Sequence, residues 1–210
     1  IDAVQAYGKM PLMPKKVDVD MVSISSHKIH GPKGVGALYV NKALKIKPIL
    51  FGGGQESALR SGTENVAGIC GFGLAAELTF KRLEESRSKV ERLRDMFVDG
   101  LKNSSFEYRI LSPEGSSPYI LNVSFRNVRA EVLLHHLEEK NIYVSTGSAC
   151  SSRKKLHSHV LTAMRLETCD IEGAIRFSFS AYNSEQDILD TLKALEDILP
   201  KIQIKGGGKR

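Results

Sequence analysis

The chain has 210 residues, of which 41% are hydrophobic and 26% are charged, as in ordinary globular domains. The net charge is +6, but lysines and arginines alternate with acidic residues, so the charge does not predict a nucleic-acid-binding surface. No apolar run is long enough to span a membrane, and no signal-peptide pattern is present. The three widely spaced cysteines indicate neither a disulfide framework nor a metal site, which favours reduced thiols in the cytoplasm.

The first 80 residues alternate short apolar runs with glycine-rich turns, which is typical of an α/β domain. Residues 17–25 predict a strand that enters the loop Ser26-His27-Lys28. A glycine-proline turn follows, and residues 35–40 predict a second strand, rich in β-branched and aromatic side chains.

A helix with several glycines is predicted over about residues 64–79. Gly68, Gly71 and Gly73 interrupt its apolar residues, and glycine lowers helix stability. We therefore expect these glycines to permit close packing against a neighbouring element. Cys70, in the same apolar run, is expected to be a small buried hydrophobe.

A long amphipathic helix is predicted over residues 81–100, because apolar side chains recur there at helical spacing. They are Leu83, Val90, Leu93, Phe97 and Leu101. We predict that this helix connects a domain ending near residue 80 to a smaller α/β domain over 101–204. Residues 205–210 are expected to form a disordered tail.

The smaller domain is predicted to contain several short elements. They are strands at 119–125, 142–144 and 174–180, and a helix at 130–140. A capping-box pattern at Ser184 to Asp187 opens a final helix, which we expect Pro200 to close.

Two residues near the glycine-rich turns have both a functional and a structural interpretation. Lys28 follows a strand, where shielding from water makes an amine nucleophilic, although most lysines are simply exposed. Thr63 precedes the predicted helix, so it either contacts a phosphate or serves as an ordinary N-cap.

Two residues of the second half are further candidates. Cys150 lies among small residues in STGSACSS, and Arg153, Lys154 and Lys155 follow it, which favours a reactive thiolate over a buried thiol. Arg176 lies within a predicted strand, where an arginine is either solvated or grips a carboxylate. Its neighbours alone do not decide between these roles.

Six stretches together resemble the class V aminotransferase family, and within it the cysteine desulfurases of the bacterial iron–sulfur-assembly type. They are IDAVQAYGK, SISSHKIHGPKGVGALYV, FGGGQESALRSGTENV, LNVSF, STGSACSS and AIRFSFS. They follow the order and spacing of the family over nearly the whole chain. The resemblance implies the fold of the pyridoxal-phosphate-dependent transferases (fold type I), with the latter part of the large parallel-sheet domain followed by the small C-terminal domain.

The resemblance also implies a set of cofactor contacts. Lys28 would hold pyridoxal phosphate as a Schiff base and move the substrate's α-proton. Asp2 would pair with the protonated pyridine nitrogen, which lets the ring accept electrons, and Gln5 would contact the phenolic oxygen. The phosphate ligands would be Ser25, His27 and, from the second subunit of a homodimer, Thr63.

The remaining implied roles concern the substrate. Arg176 would bind the carboxylate of L-cysteine, and Cys150 would attack its sulfur, leaving alanine and a persulfide that an acceptor protein receives. The family's N-terminal half is absent, so we expect the 210-residue chain to be inactive alone. The alternatives are a selenocysteine lyase or aminotransferase of the same class, and a non-catalytic binding module.

Overall fold

The computed structural model describes residues 1–146 and 158–203. The chain divides into two compact units, residues 1–85 and 86–210. Both units combine helices with β-structure, in agreement with the predicted α/β class.

The first unit contains an antiparallel hairpin. Strands β1 (Met21–Ser25) and β2 (Gly36–Val40) pair with Met21 opposite Val40 and Ser25 opposite Gly36. The first strand was predicted to begin at residue 17. It begins four residues later because Asp18 has a left-handed φ of 51°, which interrupts extended backbone.

Helix α1 (Val66–Lys81) confirms the predicted helix, with bounds two residues later. Asn65 is its N-cap, because its side chain accepts a hydrogen bond from the Gly68 N–H at 3.1 Å. The expectation that Cys70 is buried was wrong, since its side chain is exposed. A helix that is apolar on several faces cannot bury all of them within this unit.

Two of the three α1 glycines permit close packing. A Cβ on Gly68 would lie 2.5 Å from Val35 Cγ2, and one on Gly71 would lie 2.7 Å from Pro32 Cγ. Both distances are too short for real side chains, so the turn before β2 can pack against α1 only because these residues are glycine. Nothing lies within 4 Å of such an atom on Gly73, so the packing explanation was wrong there.

The second unit contains a four-stranded antiparallel sheet of order β3-β4-β6-β5. The strands are β3 (Tyr108–Ile110), β4 (Ile120–Phe125), β5 (Ser145–Thr146) and β6 (Ala174–Ser178). The prediction of a strand at 142–144 was wrong. The Ile142 N–H donates to the Leu137 carbonyl at 2.9 Å, so Ile142 belongs to the turn that closes the preceding helix. β3 was not predicted.

Within the described residues, five helices begin in or after the predicted connector. They are α2 (Leu83–Lys102), α3 (Ala130–Glu138), α4 (His159–Ala163), α5 (Thr168–Glu172) and α6 (Glu185–Ile202). All five predicted apolar positions of α2 are buried. The capping box at Ser184 and Asp187 is present. Pro200 does not close α6, which continues to Ile202, because a proline in the last turn removes only one backbone hydrogen bond.

The core of the second unit lies on one face of the sheet. Leu121, Val123 and Phe125 are at most 1% exposed and belong to one cluster with apolar residues of α2, α3 and α6. Side chains alternate between the two faces of a strand, so the residues between them in β4 project from the opposite face. Ala174 of β6 belongs to a smaller cluster with Leu161.

Candidate functional site

Lys28 lies in a short 3-10 helix, Ser26–Ile29, directly after β1. Its side chain is half-buried. The helix is fixed to the hairpin because the Ser26 N–H donates to the Val35 carbonyl at 3.1 Å. Ile29 is 4% exposed and packs with Phe72. The lysine is therefore presented by a well-anchored turn at the carboxyl end of β1.

Ser25 and His27 form a hydrogen-bonded pair beside this lysine. The distance between Ser25 Oγ and His27 Nδ1 is 2.6 Å. Ser25 is half-buried and His27 is exposed, so ligand from solvent can reach the pair. A hydroxyl and an imidazole can both donate hydrogen bonds, which suits an anionic group such as a phosphate.

Asp2 is tied to the middle of β1. A parallel bridge joins Asp2 to Ser23, with the Ala3 N–H donating to the Ser23 carbonyl at 2.9 Å. The carboxylate Oδ1 accepts from the Val4 N–H at 2.9 Å and from Ser23 Oγ at 3.3 Å. Oδ2 has no described partner, so it can accept from a ligand N–H. Ligands of α/β sheets bind at the carboxyl ends of parallel strands, the end where Lys28 lies.

Gln5 is linked to Lys28 through a residue that sequence reasoning missed, Lys9. Lys9 Nζ donates to Gln5 Oε1 at 3.3 Å. Burial, and then the positive charge of Lys28, lower the pKa of Lys9. Because an ammonium only donates, this bond turns the Gln5 amide oxygen toward Lys9 and leaves the NH₂ group for another acceptor. The available signal was the i, i+4 spacing of Gln5 and Lys9 in IDAVQAYGK.

Thr63 does not cap α1, so the ordinary N-cap interpretation was wrong; Asn65 has that role. Thr63 is exposed and follows Gly62, whose φ is 120°. Among the described residues of this chain, it makes no hydrogen bond to Ser25 or His27. The structure therefore leaves its predicted contact across a homodimer as a prediction.

Arg176 lies in β6, opposite Asn122 of β4 and Ser145 of β5. Its Nε atom is buried and has no hydrogen-bond partner among the described residues. Within residues 1–146 and 158–203, no carboxylate forms an ion pair with it. A half-buried guanidinium without an anion is suited to bind one.

Two other arginines of the same sheet region differ in this respect. Arg109 and Arg126 both hydrogen-bond to Asp170, which is completely buried. Burial raises the pKa of Asp170, but the hydrogen bonds from Arg126 and Arg109 outweigh it, so the pKa lies below its usual value. Asp170 thus provides a carboxylate partner for both Arg109 and Arg126, so these two arginines have a structural role.

Cys150 lies outside the described residues, which resume at Ser158. The last described residue before it, Thr146, pairs with Ile175, the neighbour of Arg176. The structure thus brings Asp2, Gln5, Ser25, His27 and Lys28 together in the first unit, and it assigns Arg176 to the second.

Residues 1–146 and 158–203 contain no cluster of three or more His, Cys, Asp or Glu side chains suited to a metal ion. None of the helices in this described part has the length and apolar character needed to cross a membrane.

Comparisons with known proteins agree with the resemblance. Two curated relatives named cysteine desulfurase IscS, from Dictyoglomus turgidum and Methanosarcina thermophila, are 41% and 42% identical over 96% of this chain. These alignments cover 52% and 50% of the relatives, so the chain spans about half their length. A solved NifS-like protein is 43% identical with a TM-score of 0.84, over 95% of this chain and 51% of its own.

The fold follows from this structural similarity, and it is the fold type I of pyridoxal-phosphate-dependent transferases. The family model described as aminotransferase class-V matches residues 1–191, which include every described candidate residue. The chain belongs to the class V aminotransferase family.

Proposed function

We propose that this chain is the C-terminal part of a pyridoxal-phosphate-dependent cysteine desulfurase, which converts L-cysteine to L-alanine and leaves the sulfur on Cys150 as a persulfide. The observation that carries the proposal is the half-buried Lys28, which is anchored beside the Ser25–His27 pair. The names of the relatives support L-cysteine as the substrate.

The side chains of the first unit fit pyridoxal phosphate. Asp2 Oδ2 can accept a hydrogen bond from a protonated ring nitrogen, and the Gln5 NH₂ group can donate to the phenolic oxygen. Ser25 and His27 can donate to the phosphate, joined by Thr63 of the partner subunit in a homodimer. When bound, the cofactor withdraws electrons from the α-carbon of the amino acid. Lys28 would hold the cofactor covalently and would carry the α-proton of the substrate.

Arg176 binds the substrate carboxylate in this proposal. Its support is the lack of an ion pair in the described part of the chain, together with the planar fork of the guanidinium, which matches two carboxylate oxygens. A lysine in its place would supply charge without the fork. The proposal therefore predicts a loss of substrate affinity in Arg176→Lys.

Cys150 is the proposed sulfur acceptor. Cys150 is four positions after Thr146 in the sequence. A chain spans at most about 3.6 Å per residue, so its Cα can reach about 14 Å from that of Thr146. Arg153, Lys154 and Lys155 favour the thiolate by their charge. The thiolate forms a bond to the substrate sulfur as the carbon–sulfur bond of the substrate breaks, so the persulfide remains on Cys150.

Several wider features belong to the same proposal. The proposed domains are residues 1–80 and 101–204, connected by 81–100, with a tail at 205–210. We place the activity in the cytoplasm, where an acceptor protein would take the sulfur for iron–sulfur cluster or thio-cofactor assembly. Because the chain spans about half the length of its relatives, we propose that it does not turn over L-cysteine alone.

Addition of pyridoxal phosphate to the purified chain tests the cofactor site. The chain alone is expected to bind the cofactor weakly, so the cofactor is added in excess, and a visible absorbance band would report cofactor bound covalently to a lysine. Lys28→Ala should abolish this band, and Lys33→Ala, an exposed lysine of the following turn, should retain it. A band of equal strength in Lys28→Ala would refute the assignment.

The sulfur step can be tested by adding the N-terminal half of the Dictyoglomus turgidum relative as a separate polypeptide and measuring alanine and persulfide from L-cysteine. Cys150→Ser should abolish persulfide without removing the cofactor band, and Cys70→Ser is the control. Persulfide formation by Cys150→Ser would contradict the proposal, and conversion of L-cysteine to its keto acid, without alanine or persulfide, would favour an aminotransferase.

A further inference from the structure

Three polar side chains form a row across the sheet of the second unit. Asn122, Arg176 and Ser145 occupy aligned positions on β4, β6 and β5. Leu121 and Val123 project into the core and are completely buried, so Asn122 projects from the other face. Aligned residues of neighbouring strands share a face, so Arg176 and Ser145 project there too.

The backbone pattern shows that Asn122 and Arg176 are a closely spaced pair. The Asn122 carbonyl accepts from the Leu111 N–H at 2.8 Å, and its N–H donates to Ser112 Oγ at 2.9 Å, so both backbone groups point away from β6. Asn122 and Arg176 are therefore a non-hydrogen-bonded pair of the antiparallel ladder. In such pairs the Cα atoms are about 4.5 Å apart and the side chains approach most closely.

Each member of this pair has one unsatisfied polar atom. Asn122 Oδ1 and Arg176 Nε are both buried, and neither has a hydrogen-bond partner among the described residues. An amide oxygen accepts and a guanidinium Nε–H donates, so the two atoms are complementary. Buried polar groups are rarely left unpaired, and a hydrogen bond between these two atoms would satisfy both at once.

We propose that Asn122 is the positioning residue for Arg176: its side-chain oxygen accepts a hydrogen bond from Arg176 Nε. This bond fixes the plane of the guanidinium and leaves its two terminal nitrogens for a carboxylate. The proposed hydrogen bond follows from the strand register alone and needs no substrate. Its use in recognising the α-carboxylate of the substrate rests on the proposed function.

The bond can be tested in the ligand-free chain by NMR. The Nε–H signal of Arg176, assigned with Arg176→Lys, should exchange with solvent roughly tenfold faster in Asn122→Leu than in the unmodified chain, because a hydrogen bond to a charged donor is lost. Ser124→Ala is the matched control. Ser124 is a buried residue of the same face, and its hydroxyl also lacks a hydrogen-bond partner among the described residues. It lies opposite Ala174 and not opposite Arg176. It should leave the signal unchanged.

A second variant separates the bond from a folding defect. Asn122→Asp keeps an acceptor at this position and should restore slow exchange of the Nε–H. Slow exchange in Asn122→Leu, or fast exchange in a folded Asn122→Asp, would overturn the positioning role.

Carboxylate recognition is measured with L-alanine as the probe and L-alanine methyl ester, which lacks the carboxylate, as the ligand control. We expect about tenfold weaker binding of L-alanine to Asn122→Leu, and weak binding to Asn122→Asp, whose own carboxylate competes for the guanidinium. Equal affinity of the unmodified chain and Asn122→Leu would refute the role in recognition. If exchange depends on Asn122 but L-alanine does not bind the unmodified chain, the positioning role stands and the proposed substrate site fails.

Discussion

Gly8 offers a direct test of how the first unit holds Lys28 in position. Its φ is +75°, a conformation that residues with a side chain rarely adopt. A Cβ there would lie 2.5 Å from Ile29 Cγ2 and 2.8 Å from Thr79 Cγ2. Gly8→Ala would therefore force apart the segment that carries Gln5 and the short helix that carries Lys28.

The expected magnitude has two parts. A left-handed backbone costs a residue with a Cβ about 1–2 kcal/mol, and overpacking against two methyl groups costs about 1–3 kcal/mol more. We therefore expect Gly8→Ala to lower the free energy of unfolding of this unit by about 2–5 kcal/mol. Gly34 is the matched control because its φ is +79° but nothing lies within 4 Å of a Cβ there. Gly34→Ala should lose only the first part, about 1–2 kcal/mol.

Amide hydrogen exchange provides a local measurement of this loss. The Gly31 N–H donates to the Ser26 carbonyl at 3.1 Å, so its protection reports on the Lys28 helix. It should exchange faster in Gly8→Ala than in Gly34→Ala, and pyridoxal phosphate should bind more weakly to the former. Equal protection in the two variants would refute the idea that contact with Ile29 positions the lysine.

Two further predictions follow from ionisable groups. Asp170→Asn should lower the free energy of unfolding by about 2 kcal/mol at neutral pH, which is less than the loss of a fully buried ion pair because both arginine partners are half-exposed. Glu167→Gln, which removes an exposed carboxylate, should lower it by under about 1 kcal/mol. Because the pKa of Asp170 is lowered in the folded chain, the ionised carboxylate contributes its full stabilisation above the unfolded pKa. This stabilisation is lost as the pH falls through the folded pKa. The free energies of urea unfolding of the unmodified chain and of Asp170→Asn should therefore converge in acid. Lys28→Ala should raise the pKa of Lys9 in an NMR titration by removing a neighbouring positive charge. An unchanged Lys9 pKa would contradict the electrostatic influence of Lys28 on Lys9.

The parts of the fold that the sequence predicts well are those that local patterns determine. The α2 stripe was predicted because helical spacing places its apolar residues on one face, and every member is buried. The start of α6 was predicted because the Ser184–Asp187 box is formed by residues three apart. Both features need no knowledge of the rest of the chain.

The errors occur where tertiary contacts decide the structure. Ile142 to Val144 have the composition of a strand, yet Asn141 adopts a left-handed φ of 60° and the closing turn of α3 retains Ile142. β3 has only three residues and is stabilised by pairing with β4, a partner ten or more residues away. Such short strands carry little periodic signal of their own.

The candidate site shows the same division. The motif resemblance identified Asp2, Gln5, Ser25, His27 and Lys28, and the structure gathers them in one unit. Their neighbours were not identified: Lys9 is recognised only by its bond to Gln5, and Asn122 only by strand register and burial. A motif indicates which residue types are present, whereas hydrogen-bond satisfaction indicates which of them need a ligand.

The three arginines of the sheet region make this distinction concrete. Arg109, Arg126 and Arg176 all lie on or directly after strands, so local sequence gives each the same choice between a solvated side chain and an anion clamp. A single buried carboxylate, Asp170, engages two of them and thereby makes them structural. Its helix is distant in sequence from both, so no local pattern could show the pairing. In the described part of the chain, Arg176 keeps a guanidinium that no carboxylate neutralises, and this difference, rather than its residue type, is what supports a role in binding an anionic substrate.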